Sequence, residues 1–206
     1  MLFRSEILQL LALTFARIGD VCAMKWADID LNAKTWIFEP QKGKNRADMV
    51  DSLIVPLAPQ TIAILEQVHD ITGGMEYVFY TGKRKNAPYA DRQQINKALN
   101  DPSMNKAKIG KDYCGRGYLD VHSPHGFRAS AKTMLMERLG YSHLITEIQS
   151  GRSMPDAYGN TYNRMEAIKE RVKMMNEWAN YLDDIKAGKV DNILFVDFNK
   201  AKAINE

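Results

Sequence analysis

A histidine and an arginine three residues apart form the first pair of side chains in this sequence that could act on a phosphate. His125 and Arg128 follow Ser123-Pro124, which is typical of a helix start, so both should lie on one face of a first helical turn. The N-terminus of a helix offers unpaired amide donors and the positive end of the helix dipole. An imidazole and a guanidinium at that position predict a site for a phosphoryl group. Alone, however, this spacing is more often a capping histidine beside a solvated arginine.

Further segments, in a definite order around this pair, change that balance. They are Leu13–Asp20 with Arg17 behind an apolar run, Lys25–Asp30, the basic stretch Lys42-Gly43-Lys44-Asn45-Arg46, and Tyr162-Asn163-Arg164. This order resembles the tyrosine recombinases, and most of all the integrases of phages and genomic islands. In that family an arginine follows a buried helix, a lysine lies on a hairpin tip, a His-x-x-Arg box comes next, and a Tyr-x-Arg supplies the nucleophile. The resemblance extends from about residue 5 to about residue 184.

The resemblance implies an enzyme that cleaves and rejoins DNA at specific sites, for integration and excision of a prophage, through a 3′-phosphotyrosine. Tyr162 would be the nucleophile, and Arg17 and Arg128 would hold the nonbridging phosphate oxygens through charge-assisted hydrogen bonds. Because the covalent intermediate conserves the energy of the broken phosphodiester, we expect no cofactor, neither ATP nor an obligatory metal. Tyr158 is the alternative nucleophile, but the spacing and the arginine that follows favour Tyr162.

Two proton transfers are needed for such a reaction. An unperturbed tyrosine has a pKa of about 10, so Tyr162 needs a base, and His125 is the natural candidate. The departing 5′ oxygen needs a proton, which the family takes from its hairpin lysine. Lys42, the first lysine of the basic stretch, fits that position, while Lys44 remains an alternative because the hairpin is longer than usual.

Two positions depart from the family pattern. Arg152 stands where a histidine or tryptophan usually precedes the nucleophile by about ten residues. An arginine can donate to a nonbridging oxygen, but it stays protonated and cannot shuttle a proton. Asp20 stands where the family usually has glutamate. The change at Arg152 leaves open a degenerate, non-cleaving domain that binds DNA or a partner integrase, and a type IB topoisomerase is a third possibility, against which the phage-type motifs argue.

Histidines and cysteines suggest little beyond this reaction. His122-x-x-His125 could bind a metal, but no cysteine or carboxylate lies at ligand spacing beside it, so we expect no metal site. Cys22 and Cys114 are far apart, and Cys22 lies in an apolar run typical of a buried free thiol.

The elements that must position these residues are mostly helical. Apolar periodicity and capping residues predict helices over residues 5–16, 20–26, 59–73, 93–100, 124–140 and 143–151, and a last long helix that ends before Gly188. Aromatic and β-branched content predicts strands over 35–38, 53–55 and 77–80. We therefore expect an α+β, mainly α fold, with a small antiparallel sheet packed beside a helical core.

Length and composition define the expected setting. The chain has 206 residues, 45% of them hydrophobic, a net charge of +3 and a pI near 8.7, as expected for a soluble cytoplasmic protein. We expect one catalytic domain over 1–190 and a tail over 191–206 that packs on its own sheet or on a neighbouring subunit. The family's N-terminal core-binding domain is absent from this chain, which predicts weak, salt-sensitive DNA binding. The expected partner is double-stranded DNA, bound by a homotetramer of the full-length protein, with no membrane and no small-molecule substrate.

Overall fold

The computed structural model describes residues 3–40, 52–82, 87–100, 122–152 and 164–190. This part of the chain is mainly helical, with one small sheet. The helices are α1 (Arg4–Thr14), α2 (Ile18–Cys22), α3 (Pro59–Thr72), α4 (Arg92–Asn100), α5 (Gly126–Glu137), α6 (His143–Gln149) and α7 (Arg164–Lys186), and the strands are β1 (Ile29–Asp30), β2 (Thr35–Phe38) and β3 (Leu53–Pro56). A short 3₁₀ turn over Trp26–Asp28 leads into β1. The expected α+β, mainly α fold is confirmed.

The sheet is antiparallel, in the order β1-β2-β3. Trp36 pairs with Val55, and Phe38 pairs with Leu53. Both predicted hairpin strands are confirmed. They could be predicted because a short run of aromatic and β-branched residues favours a strand locally. The segment that joins β2 to β3 carries Lys42 and lies outside the described residues.

The predicted strand over 77–80 is wrong. Tyr77 and Tyr80 form only isolated bridges, with Lys25 and Tyr89, and the third strand of the sheet is β1. Val78 and Phe79 are fully buried, so the apolar run reflects its place in the core and not strand pairing.

Helix α1 lies at the centre of the core and contacts α2, α3, α4, α5 and α7. Ile7, Leu10 and Leu11 are fully buried, as their spread around the helix predicts. One hydrophobic cluster joins α1 to the sheet and α3, and a second joins Phe15 to α5, α6 and α7. The end of α1 therefore lies where the two clusters meet.

Helix α5 begins later than predicted. It starts at Gly126 and not at Pro124, and His125 is its N-cap residue. Ser123 still acts as a local cap, because its carbonyl and its hydroxyl accept the Gly126 amide at 2.8 and 3.1 Å. Within the described ranges, no helix has both the length and the apolar composition needed to cross a membrane.

Candidate active site

A left-handed residue at the end of α1 places Arg17. Phe15 has φ +40°, a conformation that costs an aromatic residue about 1–3 kcal/mol and persists only where packing enforces it. Its ring is fully buried and meets Trp178 of α7 edge-on, with 6.5 Å between centroids. The chain then extends through Arg17, which is the N-cap residue of α2, and Asp20 is buried in the first turn of that helix. The packed Phe15 turn thus sets where Arg17 leaves the core.

Arg128 joins the end of α1 to the end of α6. Its Nη1 donates to the carbonyl oxygen of Phe15 at 3.1 Å, and its Nη2 donates to that of Ser150. A guanidinium has five N–H donors, so three remain for a phosphate. Burial first, and then the charges of Arg17 and Arg152, lower the pKa of Arg128 to about 10, while Asp20 opposes this shift. Arg17, Arg152 and Asp20 are therefore close enough for their charges to act on Arg128.

Arg152 rests on a buried carboxylate. Its Nε lies 3.1 Å from Oε2 of Glu147, whose side chain is 1% exposed, whereas the Arg152 side chain is 53% exposed. Oε1 of the same glutamate pairs with Nζ of Lys132 and lies 3.5 Å from Nε2 of His143. Lys132 lies one turn after Arg128 on α5. Burial, Arg152 and Arg128 lower the pKa of Lys132. Glu147 therefore pairs with Lys132 and Arg152, and Asp20 lies within electrostatic range of Arg128.

His125 is exposed and is the N-cap residue of α5, the helix that carries Arg128. It precedes the first turn of α5, and its carbonyl oxygen accepts the Arg128 amide at 3.2 Å. His122 instead packs edge-on against Phe127, with 4.5 Å between ring centroids. Across the described ranges, no group of three His, Cys, Asp or Glu side chains could hold a metal ion.

Arg171 of α7 ties together the elements around the site. It is 4% exposed, its Nε donates to Oε1 of Gln149 at 2.8 Å, and its Nη2 donates to the carbonyl oxygen of Ile54 in β3. Burial lowers the pKa of Arg171 to about 10. The Arg171 side chain therefore connects α7 to α6 and to β3. In the sequence, α7 begins just after Tyr162, α6 precedes Arg152, and β3 follows Lys42.

The structure thus brings together three of the six predicted site residues, Arg17, Arg128 and Arg152, and places His125 at the start of the helix that carries Arg128. Lys42 and Tyr162 lie outside the described residues, as do their alternatives Lys44 and Tyr158.

Sequence reasoning missed Lys132 and Glu147. The spacing of four between Arg128 and Lys132 was an available signal, because such residues share a helix face. Glu147 had no comparable signal, since a charge between apolar residues of a short helix normally marks a solvated face.

Comparison with known proteins identifies relatives over most of the chain. It is 28% identical over 192 residues to the prophage integrase IntA of Escherichia coli K12, an alignment that covers 93% of this chain and 41% of that protein. It is 25% identical over 203 residues to the integrase of Enterobacteria phage P4, covering 94% of this chain and 43% of that protein. The chain therefore spans about two fifths of the length of these relatives.

A crystal structure of the XerA recombinase aligns with 82% of this chain and 55% of its own, at 21% identity and a TM-score of 0.49. The model of the phage integrase family matches residues 3–149, which contain Arg17, His125, Arg128 and Glu147. On that match, the chain belongs to the phage integrase family.

Proposed function

We propose that residues 1–190 are the catalytic domain of a tyrosine-type site-specific recombinase that integrates or excises a prophage by breaking and rejoining DNA. The observation that carries this proposal is the cluster of Arg17, Arg128 and Arg152 in a member of the phage integrase family. Asp20 and Glu147 offset part of the repulsion among the three guanidinium groups, and a bound anion would offset more of it. A phosphodiester is an anion that matches their paired donors.

The arginines would act on charge that develops during the reaction. In the displacement at phosphorus, negative charge spreads over the nonbridging oxygens, and prealigned donors stabilise it without reorganisation. Arg128 is suited to this role because two backbone carbonyls already hold its guanidinium. Its remaining donors can then bind phosphate without first losing side-chain freedom.

The covalent step is assigned to Tyr162. Its Oη forms a bond to phosphorus, the bond from phosphorus to the 5′ oxygen breaks, and the product is a 3′-phosphotyrosine. His125 takes the proton of the tyrosine, and Lys42 gives one to the departing oxygen. Attack by a 5′ hydroxyl reverses every transfer and rejoins the strand. The motif Tyr162-Asn163-Arg164, which resembles the nucleophile motif of the family, supports this assignment.

The assembly is also part of the proposal. The substrate is double-stranded DNA, a small-molecule substrate plays no part, and the full-length protein acts as a homotetramer with the tail over 191–206 packing on its own sheet or on a neighbour. A chromosomal substrate places the protein in the cytoplasm. The family's core-binding domain would precede this segment and complete the grip on DNA.

A nicked suicide substrate tests the proposed chemistry. A pool of nicked duplexes with randomised flanks is incubated with the protein joined to a core-binding domain, and adducts that resist detergent are recovered and sequenced. We expect adducts with the wild type and with Tyr158→Phe, and none with Tyr162→Phe. Absence of any wild-type adduct would refute the proposed function, and adducts that persist in Tyr162→Phe would move the nucleophile to Tyr158.

Arg152 provides a test between an active and a degenerate domain. Arg152→His restores the side chain that the family usually carries. An unchanged or slower rate of adduct formation is expected if the arginine site is fully active, whereas a large gain would indicate that the wild-type site is impaired.

A further inference from the structure

Glu147 combines near-complete burial with contacts to three basic side chains. It is 1% exposed, and burying a carboxylate costs several kcal/mol unless opposite charges and hydrogen bonds compensate. Oε1 pairs with Lys132 of α5 and faces His143, and Oε2 faces Arg152. The two oxygens therefore have different partners, one within the helical core and one in the cluster of arginines.

The contact with Arg152 is made through Nε, at 3.1 Å. The amide of Arg152 also donates to the Glu147 carbonyl oxygen at 3.1 Å, so backbone and side chain of the glutamate both hold the same residue. This contact is an ion pair without hydrogen-bond geometry, since Oε2 has no hydrogen-bond partner among the described residues. A guanidinium that is paired at Nε can turn its two terminal nitrogens to another acceptor. The Arg152 side chain as a whole is 53% exposed.

The charges of the cluster also favour a contact between Arg152 and Glu147. Arg17, Arg128 and Arg152 repel one another, and without a nearby acid the most exposed of them, on a flexible side chain, would turn away into solvent. Glu147 is the acid nearest to Arg152 among the ion pairs of the described ranges. The second oxygen, held by Lys132, keeps the carboxylate from following the arginine outward.

We propose that Glu147 is a positioning residue, which holds Arg152 by its Nε so that the terminal nitrogens can bind a nonbridging oxygen of the DNA phosphate. This inference rests on the proposed function and adds a residue to it. Lys132 anchors the glutamate in turn. An arginine is suited to this role because its Nε can pair with the carboxylate while its terminal nitrogens face the phosphate.

A double-mutant cycle on adduct formation tests the role, with the nicked duplex recovered above as the probe. Glu147→Gln keeps the shape of the side chain and removes its charge, and we expect cleavage to fall on the order of 10- to 100-fold, as for a displaced catalytic group. Arg152→Gln should fall at least as far. If Glu147 acts through Arg152, adding Glu147→Gln to Arg152→Gln changes the rate by less than about twofold.

Two controls separate positioning from stability. Thr72→Val removes a buried hydroxyl that donates to the carbonyl oxygens of Val68 and Val78, far along the chain from the cluster, and should lower stability without slowing cleavage. Glu147→Asp keeps the charge next to Lys132 but shortens the reach to Arg152. It should therefore slow cleavage, while its midpoint of urea denaturation stays near that of the wild type.

The outcomes distinguish this inference from the function on which it rests. If the wild type cleaves and the effects of the two substitutions on the rate multiply, the positioning role is overturned. It is also overturned if Glu147→Gln cleaves at the wild-type rate. In both cases the proposed recombinase function stands. Absence of wild-type adducts would remove both. The role is supported if Glu147→Gln and Glu147→Asp slow cleavage in the wild-type background but cause no further slowing in the Arg152→Gln background.

Discussion

Among the single residues of the cluster, Arg128 is held by two backbone contacts. Its guanidinium spans two carbonyl oxygens from different elements, those of Phe15 and Ser150, and retains three donors. A lysine carries the same charge but has one point-like donor group and cannot make both contacts while facing a phosphate.

We therefore expect Arg128→Lys to slow adduct formation by about 10²- to 10³-fold, the usual effect of losing one prealigned donor to a developing oxyanion. The rate is measured in single turnover on the nicked duplex. Arg138→Lys, at the exposed C-terminal end of the same helix, is the matched control and should leave the rate unchanged. Equal rates for both variants would contradict the role of Arg128.

At the scale of elements, buried polar contacts hold α7 in place. Arg171→Met removes donors to Gln149 and to the Ile54 carbonyl oxygen and leaves both acceptors buried without them. We expect the free energy of unfolding to fall by about 2–4 kcal/mol, since hydrogen bonds to a charged group are worth more than neutral ones. Urea denaturation measures it. Lys169→Met, on the exposed side of the same helix, should change it by less than about 0.5 kcal/mol, and a similar loss in both variants would contradict the assignment.

The segment between α5 and α6 is attached to α7 by a pH-dependent contact. The Tyr141 hydroxyl donates to Oε2 of Glu177 at 2.6 Å. Burial, and then this hydrogen bond, raise the pKa of Tyr141 above its ordinary value. Because the folded state holds the proton more tightly than the unfolded chain, the contact stabilises the fold fully below pH about 10 and less at higher pH.

Tyr141→Phe should therefore cost about 1 kcal/mol at pH 8, and the difference from wild type should shrink as the pH rises above 10. Urea denaturation of both proteins between pH 8 and 11 measures it. Parallel curves over this range would show that the hydroxyl titrates as it does in the unfolded chain.

The whole chain is only mildly basic, with a net charge of +3, so we expect any affinity for DNA to come from local clusters of charge. We expect this segment alone to bind duplex DNA weakly, with a Kd of about 10⁻⁴ to 10⁻⁶ M at physiological salt, as for binding through phosphates only. Arg152→Gln should reduce the slope of log Kd against log salt by about one. Fluorescence anisotropy measures the Kd and its dependence on salt. Lys173→Gln, which removes the same charge from an exposed, ion-paired lysine of α7, is the control. Tight, sequence-specific binding by the segment alone would contradict this expectation.

Local sequence signals are enough to predict the elements that depend on neighbouring residues. Strand β2 was predicted over the residues it occupies, and α3 begins at the proline that marked its start, because side-chain shape and capping act within a few residues. The types and order of Arg17, His125, Arg128 and Tyr162 also sufficed to suggest the family.

Tertiary structure alone decided what shares the site. Arg128 meets the carbonyl oxygen of Phe15, 113 residues away, and Glu147 is buried beneath Arg152 although its own helix suggested a solvated position. The strand predicted over 77–80 is wrong for the same reason, since its apolar residues pack in the core and form only isolated bridges. Periodicity records only that a residue is apolar or charged, whereas the partner of a buried charge depends on how distant helices pack, and no local pattern contains that information.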